Sequence, residues 1–303
     1  MNTATPHPSP LGPILRLRDR HQSELPAHLA LPPTPNNTRP TIAEYAAAAL
    51  AEADTFMTSY LPHTFKTKSK DKHSPPSTAP VELLSHVIPT AEIPESARPS
   101  KAAQSPSSPA ETWFARTSIH ENAAKPGTAS WDEFDRGTRA NHCEREDDYT
   151  PDVLDAHLVF DWSDELGKLG KKVGEWEDVG AEVREMCHRI PPPLDDRVFT
   201  VLCIWAKRPA RDDWLVVQLP VDASGLPGVK YQNRPKITTG HYVSVERGEL
   251  IDGGKNVKWQ MGTASDAGGN LPMWAQKLGT PGAVVKDVGL FMQYCEEQRR
   301  GRA

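Results

Sequence analysis

The sequence predicts an α+β fold in which a curved antiparallel sheet wraps one long C-terminal helix. Three observations predict it. Val257, Trp259 and Met261 alternate with Lys258 and Gln260, as on a half-buried strand. That strand hands over through Gly268-Gly269 to a closing helix with a wide apolar stripe. All eight tryptophans lie at or after Trp113, so core-forming residues are concentrated in the last two thirds of the chain.

The elements follow in order. Residues 1–40 are rich in Pro, Thr and His and read as a disordered arm. Arg16, Arg18 and Arg20 are interleaved with prolines and Asp19, which fits such an arm better than an organelle address. Residues 41–61 read as a helix. Thr41 and Glu44 make a capping box, and Ile42, Tyr45, Ala46, Ala49, Leu50, Ala53, Met57 and Tyr60 recur at helical spacing. Residues 62–110 carry many Pro, Ser and Lys residues and read as a flexible insertion, with too little apolar surface to offset ordering entropy. Three Ser-Pro pairs in it, Ser74-Pro75 among them, are possible phosphorylation sites or plain linker chemistry.

Residues 111–300 read as the folded domain. Strands are predicted over Trp113 to His120, Val153 to Trp162, Val198 to Trp205, Trp214 to Val221, His241 to Glu246 and from Val257, and Ala181 to Arg189 reads as a strand whose pattern also fits a short helix. Ser130 and Glu133 form a second capping box, and the helix it opens turns polar from Asn141 to Asp148. Thr280 and Pro281 are placed to start the last helix, whose stripe is Val284, Val285, Val288, Phe291, Met292 and Cys295. Lys286, Asp287, Gln293 and Glu296 fall mostly off it, and Arg299 and Arg300 suit the helix end.

Composition bounds the function. The net charge of −5 gives no reason to expect nucleic acid, and no apolar run of about 18 residues is present to span a membrane. The start lacks the apolar core of a signal peptide. The four cysteines are widely separated, with no metal-ligand spacing, and read as reduced thiols of a cytoplasmic protein. Neither cofactor nor metal is expected, since no histidine pairs with another or with a cysteine at ligand spacing. Gly248 to Lys255 has the wrong spacing for a phosphate loop and leads into a strand. Ser265-Asp266 beside Gly268-Gly269 fits a turn whose side chains bond the backbone better than a catalytic site.

Several words of the sequence go together. Trp113 with Arg116 and Ser118, Ser130-Trp131-Asp132-Glu133-Phe134, and Pro193-Leu194 leading to Arg197-Val198-Phe199 are the first. Val217 to Asp222, Tyr242 to Glu246, Trp259-Gln260-Met261, Ala264 to Gly269 and Lys286-Asp287-Val288 complete them. In these the chain resembles a fungal family of unknown function in the START-like superfamily, which includes the steroidogenic-acute-regulatory-related lipid-transfer domains. The resemblance covers residues 111–297. It implies a helix-grip fold of about seven antiparallel strands around the C-terminal helix, with an apolar tunnel between them.

Within that frame the expected ligand is a hydrophobic small molecule, lipid or sterol-like. Phe160, Val217, Leu219, Trp259, Met261, Val288, Phe291 and Met292 are expected between sheet and helix, where pliable methionines and rings suit an apolar guest. The same residues would equally serve as plain core. Arg116 and Arg197 sit inside apolar strands, and each needs a carboxylate if buried; Glu246, Asp222 and Asp266 are candidates. Either arginine could instead meet an anionic head group. The alternative function is a cyclase or isomerase acting on a polyketide-like substrate, with His157 or Glu246 as the titrating group. Transient membrane contact is compatible with the carrier reading, and protein partners stay open.

Overall fold

The computed structural model describes residues 11–34, 39–94, 97, 110–269 and 273–301. Among these residues nine strands form one sheet: β1 Lys66–Lys72, β2 Val81–Pro89, β3 Ala110–Glu121, β4 Val153–Asp161, β5 Glu177–His188, β6 Asp196–Arg208, β7 Asp213–Pro220, β8 Ile237–Ile251 and β9 Asn256–Asp266. Their order across the sheet is β1-β2-β3-β9-β8-β7-β6-β5-β4, antiparallel apart from a short parallel contact of β6 with β8. The helices are α1 Ile42–Thr55, α2 Leu61–Thr64, α3 Trp131–Phe134, α4 His142–Tyr149, α5 Ser163–Lys168 and α6 Met273–Arg300.

Local chemistry explains most boundaries. Thr41 and Ser130 each accept from the backbone N–H three residues on, and Glu44 and Glu133 return the bond, so both capping boxes form. Gly253 and Gly254 turn β8 into β9 at φ 66° and 84°, and Gly268 and Gly269 end β9 at 62° and 61°, a region glycine enters freely. The Asp266 carboxylate accepts from the Gly268 N–H, so this run is a turn closed on its own backbone.

The central strands of the sheet are buried on both faces. On one face, Leu202, Ile204, Leu215, Val217, Leu219, Val243 and Val245 pack with α1 and with Leu11, Leu15, Leu25 and Leu31 of the N-terminal segment. On the other, Val201, Cys203, Trp214, Val216, Val257 and Trp259 pack with Phe134 and with Val284, Val288, Phe291 and Met292 of α6. Burial on both sides is why Trp214 to Val217 of β7 read as a continuous apolar run.

Three expectations change. Residues 11–34 of the presumed arm are bound down: Glu52 of α1 accepts the N–H groups of Ile14 and Leu15 at 3.0 and 2.7 Å, and buried Glu111 of β3 pairs with buried Arg16 at 3.2 Å. The leucines that anchor this segment are too few to register in a composition rich in proline. Within residues 62–110, Lys66–Lys72 and Val81–Pro89 are strands, which brings the sheet to nine rather than about seven. The apolar word Val81-Glu82-Leu83-Leu84 was hidden by its polar surroundings. Residues 1–10, 35–38, 95–96 and 98–109 lie outside the described residues. Finally, α6 begins at Met273, so Pro281 lies inside it rather than in its first turn. A proline there forfeits one ladder hydrogen bond, and Gly279 and Gly282 beside it are poor helix formers, so this is the weak point of α6.

Candidate functional site

The site is built on the face of the sheet that α6 covers. Directly opposed residues on neighbouring strands share a face, and the registers place Leu83, Arg116, Met261, Glu246 and Val216 in one row across β2, β3, β9, β8 and β7. Arg116 Nη2 donates to Glu246 Oε1 at 2.9 Å, and both side chains are buried. The guanidinium carbon stands 3.8 Å from the ring centre of Trp259, a cation–π contact. Arg116 Nε and Nη1 and Trp259 Nε1 are buried with no hydrogen-bond partner among the described residues. An orphaned donor costs about 1–3 kcal/mol, more on a charged group, so these atoms mark a place that favours an acceptor.

Opposite the row stand α4 and α6. Between them and the sheet lies a pocket of about 40 Å³, room for a few water molecules. Arg116, Glu246, Gln218, Tyr242, Trp259 and Met261 line it from the sheet, His142, Glu146 and Tyr149 from α4, and Asp287 from α6. His142 Nδ1 lies 3.7 Å from Glu246 Oε2, and its Nε2 lies 3.9 Å from Glu146 Oε2. Gln218 accepts from Ser244 Oγ at 2.7 Å and faces the Cys143 thiol at 3.5 Å. The lining is largely polar, where the resemblance implied an apolar tunnel. The apolar residues of α6 stand beside it.

Three carboxylates around one arginine shape the titration. Burial is the main reason the Asp287 carboxyl is pushed up to about 7; Arg116 pulls it back in part, and Glu146 and Glu246 push it further. Burial likewise raises the phenols of Tyr149 and Tyr242. His120, beside Phe134 and Trp259, is held down to about 3 by burial and then by Arg116, so its ring is neutral and bonds Ser118 Oγ at 2.8 Å.

The residues expected at the site divide. Arg116, Trp259 and Met261 line the pocket, and Val288, Phe291 and Met292 pack next to Trp259 under α6. Phe160, Val217 and Leu219 instead face the other side of the sheet. Val217 and Leu219 pack with the layer formed by α1 and the N-terminal segment. Phe160 stacks on His28 at 4.6 Å. Because both faces of β7 are buried, alternation there could not say which parity faces α6. Arg197 is buried away from the pocket and donates to backbone carbonyls, Ala267 at 2.6 Å and Asp195, bracing the turn after β9. His157 bonds the Gly228 carbonyl at 2.9 Å at the edge of the sheet, so it too stands outside the pocket.

Sequence reasoning missed His142, Glu146, Tyr149 and Asp287. The signal was present: 142, 146 and 149 recur at helical spacing on one face of α4. Asp287 lies three residues after Val284 and four before Phe291, which puts it on the apolar stripe rather than off it.

Comparisons with known proteins agree with the architecture. The structure superposes on human StAR-related lipid transfer protein 5 with a TM-score of 0.57 and 10% identity, covering 85% of this chain and 97% of that one. Human STARD10 gives a TM-score of 0.49 at 12% identity, over 91% and 85% of the two chains. The human StarD13 lipid transfer and protein localization domain gives 0.44 at 15% identity, over 76% and 88%. At these identities the first likeness shows the fold alone, a START-like α+β grip of sheet around helix. No curated protein matches the sequence. Residues 113–295, more than half of the chain and the whole span from β3 to late α6, match one family, and the chain belongs to it: the family described as Protein of unknown function (DUF3074).

Proposed function

We propose that this protein binds, and passes on, a hydrophobic small molecule with one polar, acceptor-bearing end, a lipid or sterol-like compound. The observation that carries the reading is the buried Arg116 guanidinium beside the pocket, two of whose nitrogens lack partners among the described residues. The polar end accepts from those nitrogens, while the apolar body lies along Trp259, Met261, Val288, Phe291 and Met292. Burying that body supplies the affinity, at about 25 cal/mol per Å², and the arginine fixes orientation. The START-like fold, which human StAR-related lipid transfer protein 5 shares, supports the reading by analogy of architecture.

A pocket of about 40 Å³ is far below the roughly 300 Å³ at which ligand sites begin, so entry requires α6 to shift from the sheet. Pro281 and the following Gly282 weaken the helix ladder where such a hinge would lie. We place the protein in the cytoplasm, in keeping with four buried free cysteines. Among the described residues, no helix is long and apolar enough to cross a membrane. Native mass spectrometry of the protein as isolated tests the function: a fraction carrying one lipid-sized adduct supports it. A bare mass together with no uptake from a panel of lipids and sterols contradicts it.

A further inference from the structure

The edge strand β1 has a composition that neither the pocket nor the fold uses. Its seven residues hold Lys66, Lys68, Lys70 and Lys72, all exposed, in a chain of formal net charge −5. The strand's one carboxylate, Asp71, lies 3.4 Å from His73. On neighbouring β2, Glu82 takes the Thr67 hydroxyl at 2.8 Å. None of the four lysines forms an ion pair among the described residues. Four lysines against one aspartate leave the strand with a net charge of +3 along roughly 20 Å, taking about 3.3 Å per residue.

Lysines on an edge strand also guard against pairing with another chain. Here the edge is already broken, because the register of β1 on β2 shifts between Thr67 and Ser69 and again between Ser69 and Lys72. Bulges of that kind spoil a pairing template by themselves, which leaves four like charges in excess of that need. The strand carries no arginine fork and no aromatic side chain on which bases could stack, so it lacks the usual devices for single-stranded nucleic acid. An anionic lipid surface asks only for clustered point charges.

The position of the strand adds the second argument. The hairpin turn that follows β1 is seated on α6. Ser74 Oγ accepts from the Gly289 N–H at 2.8 Å and donates to the Lys286 carbonyl at 3.2 Å. A Cβ at Gly289 would come within 2.4 Å of the Pro75 carbonyl oxygen, so the close seat requires glycine. The cationic strand and the helix that closes the pocket are thus joined through one turn, two residues from Asp287.

We propose that β1 is the surface on which this protein meets an anionic phospholipid bilayer, with Lys66, Lys68, Lys70 and Lys72 as its contacts. The inference rests on the lipid-carrier reading, since a carrier must visit a membrane to load or unload. Docking by this edge brings the Ser74 turn, and with it α6, to the lipid surface.

The test is co-sedimentation of the full chain with phosphatidylcholine vesicles, with and without phosphatidylserine. The expected result is binding only when phosphatidylserine is present, lost at high salt. Lys68→Gln and Lys70→Gln should each weaken it about fivefold, the effect of one basic residue near such a surface. Replacing all four lysines by glutamate should abolish it while keeping a charged, unpairable edge. Vesicle binding by that variant at the parental level, or no preference for phosphatidylserine in the parent, overturns the proposal. So does tighter binding to a DNA oligonucleotide than to the vesicles. Uptake of a fluorescent short-chain phospholipid supplied without vesicles is measured in parallel. If uptake fails in the parent while vesicle binding follows the lysines, the carrier reading fails and the docking surface stands. If uptake persists in the glutamate variant while its vesicle binding is lost, the lysines serve the membrane and not the pocket, which supports the docking surface.

Discussion

Arg116 and Glu246 are joined at 2.9 Å across a strand that belongs to neither: β9 runs between β3 and β8, and Met261 is the register partner of both. The pair therefore ties three central strands together on the face that α6 covers. Removing one partner of a buried ion pair leaves an unpaired charge and costs about 3–5 kcal/mol, whereas replacing both is often neutral. Glu246→Leu should therefore lose about 3 kcal/mol or more. The double variant Arg116→Met with Glu246→Leu should be more stable than Glu246→Leu alone. A urea-unfolding double-mutant cycle measures this, and additive losses would contradict it.

Asp287 gives a pH dependence of definite sign. Its folded pKa of about 7 lies above the ordinary value of 3.8, so the folded protein holds an extra proton between about pH 4 and 7. The stability this group contributes is complete below about pH 4 and is lost as pH rises through 7. Asp287→Asn removes the titration. It should flatten the stability profile over that window and exceed the parent in stability at pH 8. Thermal unfolding at a series of pH values reads it, and parallel profiles for the two proteins would count against this assignment.

The seat of the Ser74 turn on α6 predicts a cost for a single methyl group. Gly289→Ala must push the Pro75 carbonyl aside, which should cost about 1–3 kcal/mol by overpacking. Helix propensity alone would favour alanine by up to about 1 kcal/mol. The sign of the change in chemical denaturation separates the two, and a more stable variant would show that the turn does not hold α6 in this way.

The N-terminal segment behaves as part of the core. Leu15 is fully buried in the layer that α1 forms over the sheet. Leu15→Ala should cost about 2–5 kcal/mol. A disordered arm would give a change near zero in the same denaturation experiment.

What the sequence revealed depended on how many faces each element buries. β9 alternates because lysine and glutamine separate its apolar residues, and its inward residues Trp259 and Met261 were legible at once. β7 buries every residue, so its strand character was plain while the assignment of Val217 and Leu219 to one face was not. β1 has four lysines and no apolar residue, and only pairing with β2 makes it a strand. Arg116 was conspicuous as a charge in an apolar strand, with Glu246 among its possible partners. Asp287 was overlooked because a carboxylate on an apolar stripe makes sense only once Arg116, Glu146 and Glu246 are seen to converge on it. Arg197 carried the same signature as Arg116 yet serves backbone carbonyls of a turn, a distinction that spacing does not encode.

The central claim is that an apolar molecule lodges between the sheet and α6, against Trp259. Titration with a lipid brominated along its acyl chain tests it most directly, because bromine quenches only the tryptophans it approaches. The account predicts saturable quenching at one lipid per protein, most of which disappears in Trp259→Phe. Saturable quenching of the same depth in Trp259→Phe, or none in the parent protein, would contradict it.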